Sequence, residues 1–282
     1  MILMDLSQVM IATLMVQLGN HTNAEVDENI LRHMTLNSIR ANKVKFSAEY
    51  GELIICADSK HSWRKDAFPY YKANRSEDRS KSELNWSQIF SALNNIRDDL
   101  KEYFPYRVIQ IEHAEADDII GVLAKEYSHQ ENVLILSGDK DFQQLQKYPN
   151  IKQYSPTLKK YLKCENPVKF LKEHIIRGDR GDGVPNFLSA DDSLVLKIRQ
   201  KSISEKKLEA WVDANPMEFC NESMLRGYKR NEILVNLDYT PTDMQKAIIA
   251  EYEAQANQTR SKMMSYFIEK RLKNLMEQIG DF

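Results

Sequence analysis

Cysteine is scarce in this chain. Cys56, Cys164 and Cys220 are the only three in 282 residues, widely spaced and without a CxxC pair, which excludes a disulfide framework and a structural zinc site built on thiolates. Cys56 lies inside an apolar run and reads as a small buried residue. The six histidines, His21, His33, His61, His113, His129 and His174, form no HxxxH or HExxH pattern. They read as incidental, with only His113 near acidic residues. Long apolar runs are missing too. None approaches the roughly 20 residues that cross a bilayer, and no basic segment precedes the first apolar run, so neither a membrane span nor a secretory leader is expected. Charge of one sign is also lacking: 39 Lys and Arg against 41 Asp and Glu leave a net −2, unlike a globally basic nucleic-acid binder. A cytosolic enzyme fits these absences.

What the chain does have is carboxylate at the ends of apolar runs. ILMD ends at Asp5, ELIICAD at Asp58, VIQIEHAEADD at Glu115, Asp117 and Asp118, and VLILSGDKD at Asp139 and Asp141. A further pair, Asp179 and Asp182, lies in RGDRGDGVPN. Short Ile-, Val- and Leu-rich runs alternating with helical patterns read as buried parallel strands, whose ligands collect outside their carboxyl ends. An acid after a strand is ordinarily the N-cap of the next helix. Capping needs one acid per helix, however, and accounts for neither Asp139-x-Asp141 nor Glu115-x-Asp117-Asp118. Carboxylates gathered within a few ångströms cannot all ionise without cations between them, and an all-oxygen set suits Mg²⁺ or Mn²⁺. Residues two apart on a helix face opposite sides, so Glu115 and Asp117 can address one ion only if the helix starts near Ala116.

Length and composition permit one large domain or two smaller ones: 42% hydrophobic and 28% charged residues are ordinary for a globular protein. Strands are expected at the four acidic runs and near Ile151 to Tyr154. Helices are expected at Val9 to Leu18, around Ile30 to Ile39, from Trp86 to Tyr103, and after Ala116 through Tyr127. Beyond Asn166 helical patterns dominate. The chain divides near residue 155 into an α/β domain, 1–155, and a mainly helical domain, 156–282, that contributes acidic residues and duplex contacts. Residues 60–83 carry seven Lys or Arg against four acids, a local +3 against −5 elsewhere, and read as a mobile loop or short helices rather than core.

The series Met4-Asp5-Leu6-Ser7, RKDAFPYYKANRSEDR (64–79), EADD (115–118), SGDKDF (137–142) and GDRGDGVPN (178–186) resembles the flap endonuclease and 5′ nuclease family, within it the ribonuclease H type of T-even phages. The resemblance implies a PIN-like nuclease core: a mostly parallel central sheet flanked by helices, with a helical C-terminal part and a basic arch at about 60–83. It implies that Asp5, Asp58, Glu115, Asp117 and Asp139 surround one Mg²⁺ while Asp141, Asp179 and Asp182 hold a second more loosely, with Asp118 in either shell and Mn²⁺ able to substitute. Lys72 and Arg75 would approach the scissile phosphate, with Asp117 also catalytic. Arg64, Tyr71, Lys72, Arg75 and Arg79 would meet nucleic acid from the arch. Many cellular relatives follow GDxxDGVP with Gly-Ile-Gly, opening a helix-hairpin-helix that holds duplex phosphates. NFLSADDSLVLK has no such glycines, so Lys197, Arg199, Lys201, Lys206 and Lys207 are expected to hold the duplex by charge.

The implied activity is 5′-3′ exonuclease and flap endonuclease cleavage that removes RNA primers and 5′ flaps in phage DNA replication. The implied setting is a monomer in the host cytoplasm. DNA and RNA–DNA duplexes with free 5′ ends would be substrates, and a single-stranded-DNA-binding protein or sliding clamp would be met through the C-terminal part; Ile279 to Phe282 itself reads as a frayed end or a small core contact ahead of a partner-binding tail. A PIN-type ribonuclease would need neither YKANR nor the GDxxDGVPN extension. A non-catalytic structure-specific DNA-binding protein would bind without cutting. A haloacid dehalogenase-type phosphatase requires DxDx[TV], and Asp5 is followed by Leu-Ser-Gln.

Overall fold

Residues 1–18, 27–256 and 258–282 are described by a computed structural model; His21 lies outside them. Six strands form one sheet: β1 (Ile2–Asp5), β2 (Leu53–Cys56), β3 (Arg107–Ile109), β4 (Val133–Leu136), β5 (Ile151–Ser155) and β6 (Lys160–Leu162). Their order is β3-β2-β1-β4-β5-β6, parallel except for the edge strand β6. The first strands connect away from β1 in one direction and the later ones in the other. The chain thus changes direction between β1 and β4, the place where parallel sheets open a crevice beyond their carboxyl ends.

The helices are α1 (Leu6–Leu18), α2 (Glu28–Tyr50), α3 (Trp63–Ala67), α4 (Asn74–Ser80), α5 (Trp86–Tyr103), α6 (Ala116–Tyr127), α7 (Pro167–Arg177), α8 (Glu205–Asp213), α9 (Pro216–Phe219), α10 (Glu222–Val235), α11 (Thr242–Ala254), α12 (Met263–Glu269) and α13 (Lys273–Met276). Strand side chains alternate between faces. Ile2, Met4, Leu53, Ile55, Leu134 and Leu136 enter one core with α1, α2 and α5; Leu3, Ile54, Cys56, Val133 and Ile135 enter another with α6 and α11. A third core joins α7, α8 and α10 to Phe68 and Tyr71.

Two expectations change and one open alternative is decided. The sheet runs past residue 155, because β6 pairs antiparallel with β5 through Tyr154 and Tyr161. The last residues return to the first core: Phe282 is fully buried against Phe104 and Phe267, and Arg40 pairs with Asp281 at 2.7 Å. Of the readings open for Ile279 to Phe282, the structure therefore shows the core contact. Residues 60–83 do form short helices, but Arg64, Phe68 and Tyr71, spaced four and three apart, are all buried. This segment has a core side.

Candidate metal centre and its basic flank

Backbone amides fix Asp5, Asp58 and Asp139. Asp5 Oδ1 accepts the Gln8 amide at 3.0 Å at the start of α1, and Asp139 Oδ1 accepts the Asp141 amide at 2.9 Å at the start of a 3-10 turn, Lys140–Lys147. Asp58 Oδ1 accepts the Ala116 amide at 2.8 Å, and α6 starts at Ala116 with Glu115 as its N-cap, as the phase of Glu115 and Asp117 requires. These amides tether carboxylates over the carboxyl edge of the sheet, so capping and convergence coexist.

The electrostatics record that convergence. Asp5 is pushed up to about 7, first by burial and then by the neighbouring Asp58 carboxylate, with Asp139 adding to it. Asp117 is raised well above the usual carboxylate range by burial, then by Asp139 and Asp5. Asp141 rises to about 7 through burial and repulsion from Asp139, Asp179 and Asp182, opposed by His174. Acids from β1 and from the segments after β2, β3 and β4 therefore crowd one crevice at the change of direction. Divalent cations resolve such crowding by neutralising several carboxylates at once. The Asp141 Oδ1 atom, buried and without a hydrogen-bond partner, fits a ligand role.

Charged partners divide the remaining acids. Glu115 is pulled down to about 2 despite its burial, because Lys72 and Arg64 lie beside it. Lys72 Nζ lies 2.5 Å from Glu115 Oε1 and 3.6 Å from Asp182 Oδ2, and Arg75 Nη2 lies 2.5 Å from Asp182 Oδ1. The arch is docked here through its backbone as well: the Lys72 amide donates to the Asp182 carbonyl at 2.7 Å. Gly183, at φ +72°, allows this approach, since a Cβ there would meet the Tyr70 carbonyl oxygen at 2.7 Å. Lys72 itself holds a left-handed φ of 55°, a conformation that non-glycine residues maintain where surrounding contacts enforce it.

Four expected roles are corrected. Asp118 is wholly buried and receives Arg64, the Trp63 indole, the Thr240 hydroxyl at 2.8 Å and the Glu115 amide at 2.9 Å; no oxygen is left for a cation. Arg64 is likewise buried, holding Asp118, Glu115 and the Leu234 carbonyl, so it has no face for a phosphate. Tyr71 is 3% exposed, its hydroxyl lying 3.0 Å from Glu115 Oε2 and 2.9 Å from Asp182 Oδ2, which leaves no ring face for an unpaired base. His174, read as incidental, stands among the acids instead, with Nδ1 3.6 Å from Asp141 and Nε2 3.3 Å from Asp179. Its signal was its place on the apolar stripe of α7, five residues before Asp179.

The other expected contacts lie outward. Arg79 is exposed, its guanidinium 4.7 Å from the Phe90 ring centre. Lys197, Arg199 and Lys201 are exposed, and Lys197 pairs with Glu77 of α4 at 2.6 Å. Lys197, Arg199 and Arg180 line a cleft of about 570 Å³ facing Asn74 and Glu77.

Residues 10–174 match the 5′-3′ exonuclease N-terminal resolvase-like domain, and residues 169–282 match the T4 RNase H C-terminal domain. The ribonuclease H of Enterobacteria phage T4 is 33% identical, with the alignment covering 99% of this chain and 95% of that protein. This chain belongs to the 5′-3′ exonuclease family. Members are metal-dependent phosphodiesterases with 5′-3′ exonuclease, ribonuclease H and flap endonuclease activity, and this one is a nuclease of the phage ribonuclease H type. A flap endonuclease of Shewanella piezotolerans is 30% identical over 50% of the chain and 55% of its own length. Solved structures share the exonuclease fold. The flap endonuclease of bacteriophage T5, in a pseudo-enzyme–product complex with DNA and metal ions, superposes with a TM-score of 0.65 at 18% identity over 91% of this chain and 99% of its own. A zinc-bound form of the T5 5′-exonuclease gives a TM-score of 0.64 at 17% identity with the same coverage.

Proposed function

We propose that this exonuclease-family protein cleaves DNA and RNA–DNA duplexes bearing a free 5′ end or a single-stranded 5′ flap, removing RNA primers during phage replication with two Mg²⁺ ions. The observation that carries the reading is the crowding of Asp5, Asp58, Asp117 and Asp139 at the change of direction between β1 and β4, with Lys72 and Arg75 beside it. The carboxylate donors suit Mg²⁺, with Mn²⁺ able to replace it. Asp5, Asp58, Glu115, Asp117 and Asp139 would surround the first ion, and Asp141, Asp179 and Asp182 would hold the second.

Bound there, such a pair supplies a water acidic enough to ionise near neutral pH and a positive centre beside the departing oxygen. No side-chain nucleophile is needed. Lys72 is half-buried and kept protonated by Asp182 and Glu115, so it presents a fixed positive charge to the non-bridging phosphate oxygens; Arg75 adds a planar donor pair suited to phosphate. Lys197, Arg199 and Lys201, around the cleft beside α4, give the duplex a basic surface. The chain works as a monomer in the host cytoplasm, its α/β part carrying most ligands and its helical part adding Asp179 and Asp182. Any replication partner, such as a single-stranded-DNA-binding protein or clamp, would meet exposed helix faces of the C-terminal part, where Met264 and Ile268 lie open.

The test uses 5′-labelled flap, nicked and closed duplexes with Mg²⁺ or EDTA. Mg²⁺-dependent release of short products from the flap and nicked substrates is expected. Binding without cutting, or cleavage of closed duplex alone, would overturn the reading.

A further inference from the structure

One cluster contains a nitrogen donor that an all-oxygen Mg²⁺ pair does not use. His174 sits on the inward face of α7, between the buried Leu171 and Ile175, and meets Asp141 of the 3-10 turn and Asp179 of the following loop. One ligand atom from each of the three residues lies within 4.8 Å of the others. Ligands of a single ion bonded at about 2.1 Å stand up to about 4.2 Å apart, so only a slight contraction is needed. His174 is 8% exposed, and both its Nε2 and Asp141 Oδ1 are buried without a hydrogen-bond partner. Nε2 faces Asp179 Oδ2 at 3.3 Å, so it is the nitrogen that an ion shared with that carboxylate would take. Phe170 flanks the imidazole with ring centres 5.9 Å apart, limiting its rotation.

We propose that His174 is a nitrogen ligand of the second cation and that this site consequently takes a divalent transition ion such as Mn²⁺ in preference to Mg²⁺. The assignment rests on the two-ion reading above and changes the preferred ion at its second site. Mg²⁺ is a hard ion that prefers oxygen and retains its waters, whereas imidazole favours first-row transition ions. Lys140 now pairs with Asp179 at 2.8 Å, but its side chain is more than half exposed on a flexible stem. An incoming cation displaces it outward into solvent. The rival arrangement is a protonated imidazole bridging two carboxylates, which requires no metal at His174.

The test is pulsed electron paramagnetic resonance of the full-length protein loaded with Mn²⁺, prepared with natural-abundance or ¹⁵N-labelled histidine. Nitrogen modulation of the Mn²⁺ signal is expected, changing with the label in the unmutated protein and lost in His174→Gln. Competition titration should show the second site's preference for Mn²⁺ over Mg²⁺ falling at least tenfold in that variant. Labelling needs no substitution, so it decides the matter even if the variant folds poorly. Mn²⁺ bound with no histidine coupling overturns His174 ligation while leaving the nuclease reading intact. Failure to bind Mn²⁺ together with failure to cut the flap overturns both.

Discussion

Both terminal nitrogens of Arg64 meet both carboxylate oxygens of Asp118, Nη2 to Oδ1 at 2.9 Å and Nη1 to Oδ2 at 3.0 Å, in a wholly buried fork. Through Thr240 and the Leu234 carbonyl the same pair ties α3 and α6 to the C-terminal part. The fork adjoins the acidic cluster, since Arg64 also holds Glu115 at 2.9 Å. Its role is to hold those elements in place.

Asp118→Ala should therefore lower stability rather than metal affinity. Removing one partner strands a buried guanidinium, a loss of about 3–5 kcal/mol for buried pairs. Urea unfolding should show this decrease while calorimetry at low temperature still counts the unmutated protein's number of Mn²⁺ ions. A stable variant that has lost an ion would return Asp118 to the metal ligands.

Asp139→Asn should behave in the opposite way. The neutral amide removes a charge that raises Asp5, Asp117 and Asp141, so in EDTA the variant should melt at or above the temperature of the unmutated protein. A ligand that binds only the folded state raises its stability. The thermal shift on adding Mg²⁺ should accordingly shrink, and flap cleavage should fall by orders of magnitude. Unchanged Mg²⁺ stabilisation would remove Asp139 from the centre.

Much of this was legible in the sequence. Short apolar runs leading to acids marked the places of four strands, and the phase of Glu115 and Asp117 placed the start of α6. What was not legible depends on long-range pairing. β6 is three residues, Lys-Tyr-Leu, largely exposed at a sheet edge, with too little apolar alternation to announce a strand. Phe282 looks like any terminal residue until Phe104, far away in sequence, encloses it together with Phe267. Arg64 reads as one more cation in a basic run, because a sequence does not reveal that Asp118, 54 residues on, neutralises it. His174 was hidden for the converse reason, its acid neighbours being 33 residues before and five after it.

The raised acids set a pH dependence. Asp5 and Asp141 have folded values near 7 against 3.8 for the ordinary side chain, so between those values the native state holds protons that the unfolded chain has released. Stability from these groups is present at low pH and lost as pH rises through 7. His174, also raised by its acidic partners, acts in the same direction, whereas the lowered Glu115 acts only at acid pH. In EDTA the melting temperature should therefore fall from pH 5.5 to 8. With saturating Mg²⁺ the slope should flatten or reverse, since the cation binds the ionised carboxylates. A flat profile in EDTA would mean that these acids are not crowded.

Lys72→Ala removes the ammonium lying between Glu115 and Asp182. Arg64 still neutralises Glu115 and Arg75 still pairs with Asp182, so folding should survive. Loss of one preorganised donor to developing charge typically takes about 10²–10³ from kcat. Single-turnover cleavage with bound flap should fall by that factor with little change in affinity. A loss confined to binding would make Lys72 a docking residue.

Duplex binding tests the outer basic surface separately from the chemistry. Lys197, Arg199 and Lys201 protrude beside the cleft next to α4, and each phosphate neutralised there releases condensed counterions. The slope of log Kd against log salt changes by about 0.9 per phosphate contact on duplex DNA. Arg199→Ala should flatten the slope by roughly one such unit and weaken all duplexes alike, whatever their sequence. Arg64→Met, by contrast, should leave the slope of the folded protein unchanged, because the buried guanidinium reaches no phosphate. Should Arg64→Met flatten the slope while Arg199→Ala does not, the DNA path would run beneath the arch rather than past the 193–201 segment.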